Sequence, residues 1–194
     1  YKDGRKIRRT EWKYYENGQK QYERTYKDGE RDGLLTRWYE NGHKKEEETY
    51  KDGKKDGLWT QWYDNGQKKK VGTWKDGIQI GKYEYWFEDG TKEWEYYFNA
   101  DGTKDSTKST TRWYKSGQKW YEGYIKTIND STHWNGLWTE WYDNGQKSSE
   151  GTYKNGIKDG KWTEWYDNGQ KKEEGSYKDG RKIRRTEWKY YENG

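Results

Sequence analysis

The stretch that decides the fold is GKWTEWYDNGQKKEEGSYKDG, residues 160–180, in which two glycine corners separate short runs of aromatic and charged residues. Asn-Gly and Asp-Gly pairs favour tight hairpin turns, because both central residues of a type I′ turn need positive φ. The runs between the corners alternate in the way that places successive side chains on opposite faces of a strand. The stretch therefore predicts two short antiparallel strands.

A two-residue loop at Asn168-Gly169 would fix the register of this hairpin. Three pairs then face each other: Trp162 with Gly175, Glu164 with Glu173, and Tyr166 with Lys171. A ring that lies over a strand glycine compensates for the missing side chain. The same arrangement predicts aromatic-over-glycine pairs at Trp59–Gly72 and Trp138–Gly151, with turns at Asn65-Gly66 and Asn144-Gly145.

The hairpin pattern recurs along the whole chain, which predicts a single continuous repeat array over residues 1–194. The units begin near Tyr1, Tyr26, Tyr50, Trp74, Phe98, Tyr124, Tyr153 and Tyr177. Their spacing is about 24 residues, which suits one β-hairpin per unit. We expect an all-β fold of tandem antiparallel β-hairpin repeats, forming an elongated twisted sheet or a β-solenoid-like array.

A longer repeat lies above the hairpin repeat, because residues 1–18 and 177–194 are identical at an offset of 176 residues. The neighbouring unit at 26–43 diverges from this sequence in the middle, so common ancestry of the hairpins does not account for the identity. We expect residues 177–194 to begin a second copy of a 176-residue block. A single local duplication would give the same identity.

The composition suits a thin structure held together by aromatic rings. Only 26% of the residues are hydrophobic, but the chain contains 15 Trp, 21 Tyr and 2 Phe. High charge with low hydrophobicity is typical of disorder, whereas disordered chains are poor in aromatics. The 40 basic and 35 acidic residues are interspersed, so nucleic acid is not an expected partner. No apolar run predicts a transmembrane segment.

Two stretches, GLWTEWYDNGQKSSEGTYKNG at 136–156 and GKWTEWYDNGQKKEEGSYKDG at 160–180, resemble the MORN-variant repeat. This family is a bacterial relative of the membrane occupation and recognition nexus motif. The resemblance is strong at 26–97 and 136–180 and weaker at 98–135. It implies stacked β-hairpins, no enzymatic activity and no fixed ligand. Some members of the family are identified as antitoxin or immunity partners.

The sequence predicts no catalytic site, metal site or cofactor. His43 and His133 lie in different units, and Asn99, Asp101 and Asp105 lack the spacing of a calcium loop. Tryptophans on the second face of the sheet are candidates for stacking on a ligand such as a sugar: Trp38, Trp62, Trp141 and Trp165. Regularly spaced rings also serve as packing for the sheet itself.

The sequence therefore favours a non-enzymatic structural protein, a segment of an extended fibre or cell-surface stalk. The expected partner is the chain itself, through head-to-tail continuation or strand augmentation between blocks. An extracellular or cell-surface location goes with this prediction. The alternatives are a soluble protein-binding module of antitoxin or immunity type, which would be cytoplasmic, and a module that binds carbohydrate or a membrane surface.

Overall fold

The computed structural model describes residues 7–129 and 131–189, and these residues form strands and turns without a helix. The strands are β1 (Arg8–Tyr14), β2 (Lys20–Lys27), β3 (Glu30–Trp38), β4 (Lys44–Lys51), β5 (Lys54–Trp62), β6 (Lys68–Lys75), β7 (Ile78–Trp86), β8 (Lys92–Phe98), β9 (Ser109–Trp113), β10 (Lys119–Ile128), β11 (Ser131–Trp141), β12 (Lys147–Lys154), β13 (Ile157–Trp165), β14 (Lys171–Lys178) and β15 (Arg181–Glu187). The prediction of an all-β fold of tandem hairpins is confirmed.

The described residues fall into two compact units. The first contains residues 7–92 and 98–102, and the second contains residues 93–97 together with the described residues from 103 onward. In the first unit, each strand from β1 to β6 pairs antiparallel with the strand that follows it. In the second unit, the same order runs from β8 to β15. A single array over the whole chain stays a prediction.

The glycine corners are of two kinds. At one kind, which includes Asp28-Gly29, Asp52-Gly53, Asp76-Gly77, Asn155-Gly156 and Asp179-Gly180, both residues have positive φ. Asp52 (46°) and Gly53 (78°), for example, lie between the paired residues Lys51 and Lys54. These corners are the two-residue turns that the sequence predicts. At the other kind, which includes Asn17-Gly18, Asn41-Gly42, Asn65-Gly66, Asp89-Gly90, Asn144-Gly145 and Asn168-Gly169, only the glycine has positive φ, with 85° at Gly66.

The predicted two-residue loop at Asn168-Gly169 is therefore wrong. Gly169 N donates to Tyr166 O at 2.9 Å and Tyr166 N donates to Gln170 O at 2.8 Å, which makes a three-residue loop. Asn168 has no need of positive φ, because its Oδ1 atom accepts a hydrogen bond from Gln170 N at 2.9 Å. This arrangement matches a type I turn followed by a glycine bulge.

With the three-residue loop, one of the three predicted cross-strand pairs changes and the other two are as predicted. Trp162 lies opposite Gly175 and Glu164 lies opposite Glu173, as expected. Lys171 lies opposite Trp165 rather than Tyr166, because a bulge between these pairs shifts the register by one residue. The like-charged Glu164–Glu173 pair is compensated, since Lys182 and Arg185 both form ion pairs with Glu173.

The packing within each unit is thin and differs between the two faces of the sheet. One face carries the bulky buried side chains, among them Leu35 and Tyr83 in the first unit and Trp162 in the second. The other face carries buried threonines that lie opposite glutamates, as Thr163 lies opposite both Glu150 and Glu174. Aromatic rings thus replace the aliphatic core that the composition cannot supply.

Candidate functional site

Side chains at several of the three-residue corners bind the backbone beside the next such corner along the sheet. Tyr39 Oη donates to Trp62 O at 2.9 Å, and Asn41 Nδ2 donates to Asp64 O at 2.7 Å. The same tyrosine bond recurs from Tyr15, Tyr63, Tyr114 and Tyr142. The tyrosine bonds satisfy carbonyls at strand ends, and the asparagine bonds satisfy carbonyls in the loops. We call this set of bonds the corner ladder.

The turn asparagines named from the sequence take part in this ladder. Asn65 Nδ2 donates to Glu88 O at 2.8 Å, and Asn144 Nδ2 donates to Asp167 O at 2.7 Å. Asn168 instead donates to Gln170 Oε1 at 3.0 Å, within its own loop. The sequence predicts positive φ at these asparagines. It does not predict the hydrogen bonds that Asn65 and Asn144 donate to the next corner. The recurring Tyr-x-Asn-Gly spacing is the signal that could have revealed them.

The predicted aromatic-over-glycine partners lie opposite one another, but the rings lean away from those glycines. Trp59 lies opposite Gly72, Trp138 opposite Gly151, and Trp162 opposite Gly175. The ring packed onto Gly72 and Gly151 comes from the other neighbouring strand, Tyr83 on Gly72 and Trp162 on Gly151, and Trp138 packs onto Gly123 in the same way. At Gly175 the nearest atom is the backbone oxygen of Arg184. The rings therefore join successive hairpins rather than the two strands of one hairpin.

Because the rings lean toward the preceding hairpin, their polar atoms donate hydrogen bonds to its backbone. Trp162 Nε1 donates to Thr152 O at 3.0 Å, and Tyr83 Oη donates to Thr73 O at 3.2 Å. Burial raises the pKa of the Tyr83 hydroxyl, so this group stays a neutral donor. Ring packing and hydrogen bonding thus act across the same boundary between units.

The four candidate stacking tryptophans are half-buried and each has a lysine over its ring. The ammonium-to-centroid distances are 5.6 Å for Lys20–Trp38, 5.7 Å for Lys44–Trp62, 5.5 Å for Lys119–Trp141 and 5.9 Å for Lys147–Trp165. Each of these lysines also pairs with a glutamate three residues later, as Lys20 pairs with Glu23 at 2.7 Å. The hydrogen bond that Lys20 donates to Glu23 raises the pKa of Lys20. That these rings bind a ligand stays a prediction.

Two of the polar residues considered for metal binding form hydrogen bonds at corners or loops, His43 with the next corner and Asp105 within its own loop. His43 Nδ1 lies 2.6 Å from Asp64 O, and Asp105 Oδ1 accepts hydrogen bonds from the backbone and hydroxyl of Thr107. Across residues 7–129 and 131–189, no cluster of three or more histidine or carboxylate side chains could hold a metal ion. The same residues contain no helix able to cross a membrane.

Comparison with known families gives one repeated match. The MORN repeat variant matches residues 11–28, 31–52, 55–76, 134–155 and 158–179, which together make up more than half of the chain. A search of curated proteins finds no match. The matched segments are those in which Asn-Gly corners alternate with two-residue corners, and residues 77–133 lie between them.

Proposed function

Because the chain belongs to the MORN repeat variant family, a family of repeat modules that are generally non-enzymatic, we propose that it is a structural repeat protein. In this proposal it is a segment of an extended fibre or cell-surface stalk. The mechanism is mechanical: units add in register, and each new boundary gains ladder hydrogen bonds, ring contacts and corner bonds. The location would be extracellular or at the cell surface.

The observation that carries the proposal is the environment of the repeated terminal sequence. The first copy forms β1, which pairs with the following strand β2, and the second copy forms β15, which pairs with the preceding strand β14. The paired stretches share equivalent positions 8–11 and 184–187. A strand with this sequence can therefore accept a neighbour on either edge, as continuation of an array requires.

Both strands also expose apolar side chains that such a neighbour would cover. Ile183 of β15 is 65% exposed, and Trp12 of β1 is 53% exposed. Ile7, at the position equivalent to Ile183, is 44% exposed. Burial of such side chains is worth about 1.5–3 kcal/mol each. These edges suit association with another copy of the block.

The corner ladder gives a reason why addition would be cooperative. Tyr142 Oη donates to Trp165 O at 2.8 Å, so a corner satisfies the backbone of a hairpin that it does not belong to. A hairpin at the end of an array lacks one such set of bonds. We expect each added unit to be stabilised mainly at its boundary with the previous one.

The experiment is sedimentation velocity over a range of concentrations, followed by electron microscopy of the largest species. We expect a mass that grows with concentration and linear particles in the microscope. Ile183→Lys combined with Ile7→Lys places charges at both edges and should lower the association constant at least tenfold, by about 1.4 kcal/mol. Leu58→Lys is the matched control, because Leu58 is 56% exposed and lies in β5, which has strand neighbours on both sides.

A compact monomer at every concentration would overturn the fibre proposal. Equal weakening by the edge variant and by Leu58→Lys would also overturn it, since association would then follow general hydrophobicity. A monomer that captures one protein partner at fixed stoichiometry would favour a protein-binding module of antitoxin or immunity type.

A further inference from the structure

One boundary in the second unit reverses the packing of the regular repeat. The strands that precede an Asn-Gly corner carry a bulky side chain at one shared position: Leu35, Trp59, Tyr83, Trp138 and Trp162. In β9 the equivalent residue is Thr110. On the preceding strand, where Gly72 and Gly151 lie under the rings of Tyr83 and Trp162 and the first repeats have Arg24 and Glu48, β8 has Tyr96. The large and the small residue have thus changed places.

This exchange leaves a cavity in the aromatic face. The cavity volume is about 330 Å³, which is within the range of small-molecule sites. Its walls are the rings of Trp94, Tyr96, Tyr121 and Trp134, and its inner surface is formed by Thr110 and Ile125. Tyr96, Thr110 and Ile125 are buried. A threonine at the ring position is too small to fill the space that a tryptophan occupies elsewhere.

The side chain of Lys104, from the loop between β8 and β9, also lines this cavity. Its ammonium nitrogen lies 3.2 Å from the centroid of the Tyr96 ring. The backbone beside it is held in place, because Asp105 N donates to Tyr97 O at 2.9 Å. The cavity therefore receives a cationic alkyl chain from the protein itself, with the charged end against an aromatic ring.

The primary ammonium of Lys104 loses hydration at this site. Burial disfavours its charged form and lowers the pKa of Lys104 to about 8. A lysine ammonium is compact and strongly hydrated, so aromatic surroundings replace its water poorly. Quaternary ammonium groups are the cations that aromatic cages recognise best. They keep their charge at every pH.

We propose that this cavity is a binding site for a quaternary alkylammonium group, and that Lys104 is the internal occupant that the ligand displaces. The four rings provide faces and edges around one cation, and the alkyl substituents of the ligand contact Ile125. All the lining residues except Trp134 fall within 77–133, between the family matches. Its existence does not depend on fibre formation.

The experiment is a titration of the whole chain with choline, followed by NMR of the indole N–H signals of Trp94 and Trp134. We expect these two signals to shift with saturation. Lys104→Ala removes the competing ammonium from the Tyr96 ring and enlarges the cavity, so it should tighten choline binding about tenfold. Lys70→Ala is the matched control, because Lys70 also lies over a tyrosine, with its ammonium 5.2 Å from the Tyr85 centroid, but in a regular repeat. It should leave binding unchanged.

A second arm tests the charge of the ligand. The uncharged carbon isostere of choline has nearly the same shape, and we expect it to bind at least tenfold more weakly. Equal binding of the two compounds, or binding of a neutral sugar in place of choline, would overturn the proposal. A lack of shifts in both the parent chain and Lys104→Ala would also overturn it.

A third arm distinguishes the sources of the ligand. Phosphatidylcholine vesicles are compared with phosphatidylglycerol vesicles in a flotation assay. Retention on phosphatidylcholine that Lys104→Ala strengthens would support a lipid headgroup as the source. Binding of free choline without retention on vesicles would support a soluble quaternary ammonium compound.

Discussion

The hairpin repeat places its bulky side chains differently in two regions, β3 to β6 and β8 to β10. Between β3 and β6, corners are linked by bonds such as Tyr39 Oη to Trp62 O, at 2.9 Å. The bulky residues precede the Asn-Gly corners there. In β8 to β10 the bulky residue is Tyr96, after the corner, and β9 shrinks to five residues. The cavity occurs where the large residue, Tyr96, lies on β8 and the small residue, Thr110, lies on β9.

Two sets of contacts hold the repeat together, the corner ladder and the ring packing. The corner ladder continues in the irregular region, where Tyr114 Oη donates to Trp141 O at 2.9 Å. Ser116 takes the place of the turn asparagine and bonds to Asp143. The ring packing of the face is altered in the same region. The corner bonds are therefore retained in a region where the ring packing on the aromatic face changes.

The largest expected effect comes from removing a ring in the regular part. Trp162→Ala should lower the free energy of unfolding by about 3–5 kcal/mol, because Trp162 is buried and contacts Tyr153 and Tyr177. Leu137→Ala is the control, since Leu137 is exposed. Urea unfolding followed by circular dichroism measures both. A loss below about 1 kcal/mol for Trp162→Ala would contradict ring packing as the main stabilising contact.

Overfilling a glycine site should have the next largest effect. In Gly72→Val the new side chain would occupy the space of the Tyr83 ring, which is fully buried and cannot move outward without cost. We expect a loss of about 1–3 kcal/mol in the free energy of unfolding. Thr73→Val on the same strand is the control for β-branching. If the two variants unfold at the same urea concentration, the assigned ring-on-glycine contact is wrong.

Removing one bond of the corner ladder should cost less. Tyr39→Phe deletes the donor to Trp62 O and keeps the ring, so the free energy of unfolding should fall by about 1 kcal/mol. Tyr14→Phe is the control, because Tyr14 is exposed. Urea midpoints of the two variants give the comparison. An equal midpoint for both would show that the ladder adds no stability.

The smallest expected effect is a pH dependence at Glu46. Burial alone would raise the pKa of Glu46, but hydrogen bonds from Trp59 and Gln61 and the ion pair with Arg37 outweigh it and lower this pKa. A carboxyl with a lowered pKa in the folded state stabilises the fold above its unfolded pKa and loses that contribution as the pH falls through the folded value.

The corresponding variant is Glu46→Gln. It should unfold more easily than the parent at neutral pH, by less than about 1 kcal/mol, because the pair is partly solvated. In acid, below the folded pKa, the difference should vanish. Urea titrations at neutral and acidic pH measure this, and a difference that grows in acid would contradict the assigned direction.

The sequence predicted the hairpins because glycine corners and alternating strands are local signals. It failed at Asn168, where the preference for positive φ competed with a side-chain bond to Gln170 N. It also misplaced the ring contacts, since the direction in which Trp162 leans depends on the neighbouring hairpin. The cavity at Tyr96 and Thr110 is visible in the aligned repeats only once the shared position of the bulky residues is known.

The exchange of Tyr96 and Thr110 is tested most directly by a double-mutant cycle. Tyr96→Gly and Thr110→Trp should each destabilise the chain, by about 3 kcal/mol for loss of the buried ring and about 1–3 kcal/mol for overpacking. The double variant restores the regular order of large and small residues, so it should recover at least about 2 kcal/mol relative to the sum of the single changes. Additive losses in urea unfolding would contradict the account.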